Sequence, residues 1–499
     1  MLKKNKKLPV RIKIFKTIVL ISFFLLFYKT FSFQVLLYGE TYEEEGNREF
    51  TRVKILKAKR GDIYDRNLVP LAVSLYEDDE WKRKYPFGWI TSNLIGFVNA
   101  EGTGLEGIEF EFDKELKGKD GEILLFRTAD GKYIQLPENK IILPQNGNDL
   151  ILTIDIRIQK ITAKVLNEYA KKYKAKRGWV IVLNPQNGEI LALCSYPFFD
   201  PERYNKYGNL YFRNNNIQFS FEPGSVFKPF IAIYAIMKSK VKLNELFDVS
   251  KPIIIKDVII NDPEIETKEK RYFTLEDIIV HSSNIGISQV AERLNPEELE
   301  KFVKECGFGK ETGILFPGES KGLIKSSKKW TKVDLMNFSF GQGFLATPLQ
   351  IALFYSAIAN GGYLLHPFIL KGIKNEKNYK EFKSRIVIRK IFDERVTYII
   401  KDFLEKVIEK GSGKKAKTSG LKICGKTGTS QKVIDGKYSK ELSIMSFVGF
   451  FPKEKPEYLI YIGLDEPEEI RFSSEIIPEM FKRIAEEILL LKTPLLYET

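Results

Sequence analysis

At 499 residues the chain can hold two or three domains with cores of their own, and its 43% hydrophobic and 13% aromatic content excludes a disordered chain. The net charge of +14 is uneven: Lys3, Lys4, Lys6, Lys7, Arg11, Lys13 and Lys16 supply seven positive charges in the first sixteen residues. The remainder is only mildly basic, no RNA- or DNA-binding motif accompanies it, and a nucleic-acid partner is not expected. The only histidines are His281 and His366, and the cysteines are Cys194, Cys306 and Cys424. None has zinc-ligand spacing, which leaves no metal to expect and argues against a Ser-His-Asp hydrolase and a disulfide framework.

The early cations precede an apolar stretch, Ile14 to Tyr38, interrupted by Lys29. Its 25 residues suffice to cross a hydrocarbon core of about 30 Å as a helix, with Lys29 snorkelling to the interface. The reading is a cytoplasmic basic tail over 1–13, a transmembrane anchor over 14–38, and everything beyond residue 40 outside the cytoplasm. A cleaved signal peptide is the alternative, but no clear small-x-small site follows the apolar run. Residues 45–150 are polar and glycine-rich, and Arg60–Asn67 and Gly104–Glu109 read as turns between extended segments. A strand over Leu150–Asp155 leads to a helix from Arg157 to about Tyr173, with Ile158, Ile161, Val165, Leu166 and Tyr169 on one side. Trp179–Leu183 and Glu189–Leu193 flank Asn184-Pro-Gln-Asn-Gly188, a hairpin signal. Val396 to Ile408 follows helical spacing until Gly411-Ser412-Gly413 ends it. Strands over Leu421–Thr429, Ile444–Phe450 and Tyr458–Leu464 follow, and a helix from about Glu475 to Lys492 closes the chain. Two early strands, three late ones and helices between them predict an α+β fold, an antiparallel sheet closed by distant chain parts with helices on its faces.

Three stretches carry chemistry. In Phe221-Glu-Pro-Gly-Ser225-Val-Phe-Lys228-Pro, a Pro-Gly turn enters an apolar helix, and Ser225 and Lys228 are three residues apart on one face. A hydroxyl beside an amine at a helix N-terminus can be a nucleophile with its base. The motif alone selects nothing, because Ser239/Lys242, Ser326/Lys329, Ser412/Lys415 and Ser419/Lys422 repeat it. Ser282-Ser283-Asn284 sits at a loop-to-helix junction, where Ser or Asn serves equally well as an N-cap. Cys424-Gly-Lys426-Thr427-Gly428-Thr429 reads as an edge strand whose glycine admits close approach by a ligand or a second backbone, with Cys424 and Lys426 on one side.

Taken together, the order Ser-x-x-Lys, Ser-x-Asn, Lys-Thr-Gly resembles the penicillin-recognising serine acyltransferases. With Glu-Pro-Gly before the first motif, the chain resembles a monofunctional class B penicillin-binding protein of the cell-division type, nearly end to end. Arg60–Asn67, Tyr85-Pro86 and Gly104–Glu109 look like that family's pedestal, and Gly341-Gln-Gly343, Thr347-Pro-Leu-Gln350 and Asp465-Glu-Pro467 look like its catalytic domain. Only about a dozen residues separate Ala72 from Tyr85, where the family has a longer insertion, so the pedestal is shortened. The space before Leu152 is too short for a glycosyltransferase domain, and no appended repeat domains are expected.

The resemblance implies a shortened, mostly-β pedestal over 45–150 and a transpeptidase domain over 151–492, with an antiparallel five-stranded sheet flanked by helices. It implies Ser225 as nucleophile, Lys228 as base, Ser282 as proton relay, Asn284 holding Lys228 and the substrate amide, and Lys426 pressing on Lys228 by like-charge repulsion. Lys426, Thr427, Gly428 and Thr429 would bind substrate, and the backbone N–H groups of Ser225 and Thr429 would form the oxyanion hole. No metal or organic cofactor is implied. The partners implied are lipid II-derived peptidoglycan stem peptides, β-lactams, the membrane, a polytopic membrane glycosyltransferase and other division proteins. The location implied is a single-pass protein of the cytoplasmic membrane with its catalytic domain outside the cytoplasm. An elongation-type transpeptidase, a D,D-carboxypeptidase or β-lactamase, and a non-catalytic scaffold or β-lactam sensor are the rival readings.

Overall fold

In the apolar runs late in the chain, successive side chains turn to opposite faces of a sheet, and both faces are covered. The computed structural model describes residues 9–37, 51–136, 141–256, 258–262, 272–434, 436–470 and 472–492. Residues 1–8 of the basic tail, Tyr38 of the expected anchor, and residues 45–50 and 137–140 of the expected pedestal lie outside them.

Five strands, β1 (Arg177–Leu183), β2 (Ile190–Tyr196), β3 (Cys424–Ile434), β4 (Lys437–Phe451) and β5 (Tyr458–Asp465), form one antiparallel sheet in the order β2-β1-β5-β4-β3. The hairpin made by neighbours in sequence is thus joined, through β5, to strands more than two hundred residues later. Strand β3 is the sheet edge. It starts at Cys424 rather than Leu421, because Thr418 and Leu421 close a small turn of their own, and it runs past Thr429 to Ile434.

The helices that position the site are α1 (Ile156–Lys172), α2 (Lys228–Met237), α3 (Leu275–Val280), α4 (Asn284–Ala291), α5 (Pro348–Ala359), α6 (Glu394–Lys410) and α7 (Ile477–Leu490). On one face of the sheet, Val180, Val182, Phe447, Ile460 and Ile462 pack with Val165 and Leu166 of α1 and Phe481 and Ile484 of α7. On the other, Trp179, Ile181, Val448 and Tyr461 pack with α2, α5 and α6 through Phe230, Phe354 and Leu404. The odd and even residues of β1 divide between the two cores, as the strand period requires.

The chain divides into two compact units, residues 1–58 with 119–145 and residues 59–118 with 146–499. In the first, Thr51–Leu56, Gly121–Arg127, Tyr133–Ile134 and Ile141–Ile142 form a four-stranded sheet. This unit also contains the helix Val10–Phe31, which buries none of its residues and runs on into a π-helical turn, Ser32–Leu37. Arg11, Lys13, Lys16 and Lys29 interrupt its apolar surface, and among the described residues no helix is long and apolar enough to cross a membrane. The spanning helix expected over 14–38 is therefore not shown.

In the second unit, Pro70–Glu77 and its neighbours join a six-stranded sheet through Asp149–Leu152 to Leu370–Lys374. The two stretches read as turns meet here. Glu109, fully buried, receives Arg60 Nε at 2.7 Å and Arg83 Nε at 2.7 Å, while Arg60 Nη1 reaches Asp113 Oδ1 at 2.6 Å. Asp65, also buried, accepts the N–H groups of Asn67 at 2.7 Å, Val69 at 2.8 Å and Ile156 at 3.1 Å, which ties this turn to the start of α1.

Candidate active site

Gly224 begins the site with φ of +64°, a conformation open to glycine at little cost. Gly224 to Phe227 then form one 3₁₀ turn, and α2 follows from Lys228 with Pro229 in its first turn, where a missing N–H costs nothing. The backbone N–H of Lys228 donates to the Ser225 carbonyl, so the Ser225 hydroxyl and the Lys228 amine are carried one turn apart. Phe227 stacks on Phe230 at 4.6 Å and packs on Phe344 at 4.7 Å, and Tyr355 Oη donates to the Val226 carbonyl at 2.7 Å. Glu222 Oε1 accepts the Gly343 N–H at 2.8 Å, which fastens the Gly341–Gly343 loop to the same turn. Ser225 is half-buried on a turn held by its neighbours.

Lys228 points inward and is fully buried. Its Nζ donates to the Ser282 carbonyl and lies 3.2 Å from Ser282 Oγ. Lys426, also fully buried, reaches the same Oγ at 2.9 Å and the Thr427 carbonyl at 3.1 Å. One hydroxyl therefore lies between two amines. Ser282 holds φ of +60°, a left-handed conformation that costs a non-glycine residue about 1–2 kcal/mol. Lys228, on its carbonyl and hydroxyl, and Lys426, on its hydroxyl, hold it there.

Burial brings the Lys228 amine down to about 7, against the pull of the Asp262 carboxylate. Burial also pushes Lys426 well below the usual amine range, and repulsion from Lys228 adds to it. The repulsion from Lys426 that the resemblance implied is not among the effects on Lys228: burial lowers that amine, and the repulsion between the two falls on Lys426.

The Ser-Ser-Asn stretch divides its labour. Ser283 is the N-cap of α4, accepting the Gly286 N–H at 2.9 Å, which leaves Ser282 free for the amines. Asn284 does not reach Lys228; its Nδ2 donates to the Asn261 carbonyl at 3.0 Å. Asp262 organises the junction, accepting Ser283 Oγ at 2.7 Å and the N–H groups of Asn284 at 2.5 Å and Ile285 at 3.0 Å. The sequence reading passed over Asp262; the turn pair Asn261-Asp262 ahead of a capped helix was the available signal.

Strand β3 approaches the Ser225 turn closely at two glycines. A Cβ on Gly428 would come within 2.7 Å of Val226 Cγ1, and one on Gly224 within 2.8 Å of the Thr429 carbonyl oxygen. That oxygen therefore faces the turn. In a strand, a residue's C=O and N–H lie on the same side, so the Thr429 N–H faces the turn as well and is not spent on β4. Thr427 Oγ1 lies 2.6 Å from Ser412 Oγ, and Thr429 Oγ1 donates to Ser473 Oγ at 3.1 Å and accepts the Ser473 N–H at 3.2 Å. Ser412 was visible only as a helix-ending Gly-Ser-Gly and as one of the decoy Ser-x-x-Lys serines. The Cys424 thiol is buried, donates to the Lys401 carbonyl at 3.3 Å and has its pKa raised by burial, so it is not a reactive thiolate. Among the described residues no cluster of His, Cys, Asp and Glu could hold a metal ion.

The family described as "Penicillin binding protein transpeptidase domain" matches residues 178–486, and "Penicillin-binding Protein dimerisation domain" matches residues 74–152. The chain is 33% identical over 406 residues to stage V sporulation protein D of Bacillus subtilis, covering 79% of this chain but only 61% of that protein. It is 33% identical over 424 residues to peptidoglycan D,D-transpeptidase FtsI of Buchnera aphidicola, covering 84% of this chain and 71% of that one. The crystal structure of penicillin binding protein 3 from Mycobacterium tuberculosis superposes with a TM-score of 0.77 at 26% identity, over 88% of this chain and 97% of that one; the same protein has also been solved with aztreonam and with ampicillin. A transpeptidase domain preceded by a dimerisation domain, on this fold, places the chain among the class B penicillin-binding proteins, the family to which it belongs.

Proposed function

We propose that the chain is a peptidoglycan D,D-transpeptidase that cross-links stem peptides at the division septum. The observation that carries the reading is the buried Lys228–Ser282–Lys426 set, with the Lys228 amine at about 7, one turn from Ser225. An amine at that value is neutral in an appreciable fraction near neutral pH and can take the Ser225 proton. Ser225 Oγ then attacks the carbonyl between two D-alanines, with the N–H groups of Ser225 and Thr429 receiving the oxyanion. Ser282 passes a proton to the departing amine, D-alanine leaves, and an acyl-enzyme remains. The amine of a neighbouring stem takes the acyl group and restores the hydroxyl. β-Lactams acylate Ser225 because their amide mimics D-Ala-D-Ala.

The relatives named peptidoglycan D,D-transpeptidases support the transpeptidase chemistry, and Glu-Pro-Gly-Ser225 with Ser282-Ser-Asn284 supports the division type. Membrane attachment through residues 14–38, with the catalytic domain outside the cytoplasm, belongs to the same proposal, as do a polytopic membrane glycosyltransferase and other division proteins as partners. The proposed domain plan keeps the tail, anchor, pedestal and transpeptidase bounds given above. The test is incubation of the purified chain with polymerised lipid II. Release of free D-alanine together with cross-linked dimers is the expected result; D-alanine without cross-links would make it a carboxypeptidase. Depletion in the source cell separates division from elongation, filaments marking the first and spheres the second.

The acylation rate is expected to depend on pH through Lys228. The base works neutral, so the rate should rise about tenfold per pH unit below about 7 and level off above it. The check is the second-order rate of penicillin acylation from pH 5 to 9; a rate that falls as pH rises through 7 would move the base elsewhere.

A further inference from the structure

Just past Thr429, the β3 edge loses its regular partner. Thr429 pairs with Met445 and Gln431 with Ser443, but Val433 pairs with Tyr438, so residues 439–442 of β4 bulge out where β3 passes Lys432. A ladder broken in this way holds the strand less firmly, and bulges beside active sites re-aim side chains. The Lys432 side chain reaches past β4 to the end of β5. Its Nζ donates to Asp465 Oδ1 at 3.0 Å and to the Glu466 carboxylate.

Asp465 is fully buried, and its other oxygen accepts Arg177 Nη1 of β1 at 2.9 Å. The Arg177 guanidinium lies over the Phe219 ring, 5.0 Å from its centroid, and Phe219 stacks on Phe221 at 5.7 Å. Phe221 exchanges backbone hydrogen bonds with Ala346 and leads into the Ser225 turn. One buried carboxylate therefore holds the β3 edge through Lys432 and the approach to Ser225 through Arg177.

We propose that Lys432 is a positioning residue which, through Asp465, fixes the β3 edge against the Ser225 turn. This rests on the transpeptidase reading, in which the N–H groups of Ser225 and Thr429 together receive the oxyanion. Lys432 stands three residues beyond Thr429, about 10 Å along a strand, and acts on the reaction only through that N–H. Two donors from separate segments serve one oxygen only while they converge, and a misplacement of about 1 Å costs up to about a hundredfold in rate. A carboxylate buried between two cations suits this task, because withdrawing either cation leaves it short of a partner away from water.

The test is acylation of the full chain over a range of benzylpenicillin concentrations, which separates the Kd of the non-covalent complex from the limiting acylation rate. Lys432→Met, which keeps the apolar stem and removes the charge, is expected to lower the limiting rate about tenfold and to leave Kd within about twofold. Lys432→Arg, which keeps a cation for the two carboxylates, is expected to stay within about threefold of the parent in both. An unchanged limiting rate in Lys432→Met overturns the proposal. So does an equal loss in the Met and Arg variants, or a weakening of Kd as large as the loss of rate, since these mark a structural prop. Should Lys432→Met fail to fold, Lys432→Gln is read by the same criteria. If penicillin does not acylate the parent, the transpeptidase reading itself fails and takes this assignment with it; the parent's own rate tells that failure from the others.

Discussion

Ser225→Ala is expected to abolish labelling by a fluorescent penicillin and to leave the fold intact. The hydroxyl is half-buried, and the turn that carries it is held by other groups: Phe227 against Phe230 and Phe344, Tyr355 on the Val226 carbonyl, and Glu222 on the Gly343 N–H. Removing one oxygen therefore removes the proposed nucleophile and little else. Lys228→Ala is expected to slow acylation about a thousandfold, in the usual range for a lost general base, and to act differently on stability. In the native protein the amine is held near 7, well below its ordinary value of 10.5, so at pH between those values the unfolded chain binds a proton that the folded one lacks. The depressed amine thus opposes folding across that window, and stability on its account rises with pH through it. Lys228→Met removes the titrating group while filling the space. It should lose the same activity and gain stability at pH 7, read as a higher urea midpoint. Labelling of the Ser225→Ala protein at full stoichiometry, or a Lys228→Ala rate within tenfold of the parent, would sink these assignments.

The second large effect lies in residues 59–118. Glu109→Ala is expected to cost about 3–5 kcal/mol, because it leaves the guanidinium groups of Arg60 and Arg83 buried without their shared carboxylate. Asp113 still meets Arg60 Nη1 at 2.6 Å, but Arg83 keeps only the Gly61 carbonyl, Ser74 Oγ and a distant Asp62 carboxylate. The exposed pair Lys57–Asp120, also 2.7 Å apart, provides the contrast: Lys57→Ala is expected to cost under about 1 kcal/mol, since water and salt screen it. Urea unfolding of the two variants under one set of conditions compares them. Equal effects would show that burial of the Glu109 network does not govern its worth.

How much of this was legible beforehand depends on the range of the interaction. The hairpin β1–β2 and the helices α1, α6 and α7 follow from local periodicity, and in α1 the residues Ile158, Val165, Leu166 and Tyr169, which the spacing places on one side, are buried. Asp155 capping α1 is local in the same way. The six-stranded sheet was not legible, because Asp149–Leu152 pairs with Ile63–Tyr64 on one side and Leu370–Lys374 on the other, and no local pattern specifies partners so far apart. The buried Arg60–Glu109–Arg83 network was missed for a related reason: charged residues in glycine-rich turns read as solvated until the fold brings their partners together.

By itself, then, the sequence determined the family, because the order Ser-x-x-Lys, Ser-x-Asn, Lys-Thr-Gly is specific where each member alone is not. In the proposed mechanism a lysine serves as the base, since the chain has only two histidines. Only the tertiary structure decided that the Lys228 amine is depressed, since the depression comes from burial and burial is a property of the packed core. The fold likewise turned Asn284 away to Asn261, set Asp262 at the head of α4, and placed Ser412, one of several unremarkable Ser-x-x-Lys serines, against Thr427. Residue types and their spacing are encoded along the chain, whereas solvent exclusion and the pairing of hydroxyls from distant segments arise only when those segments share a core.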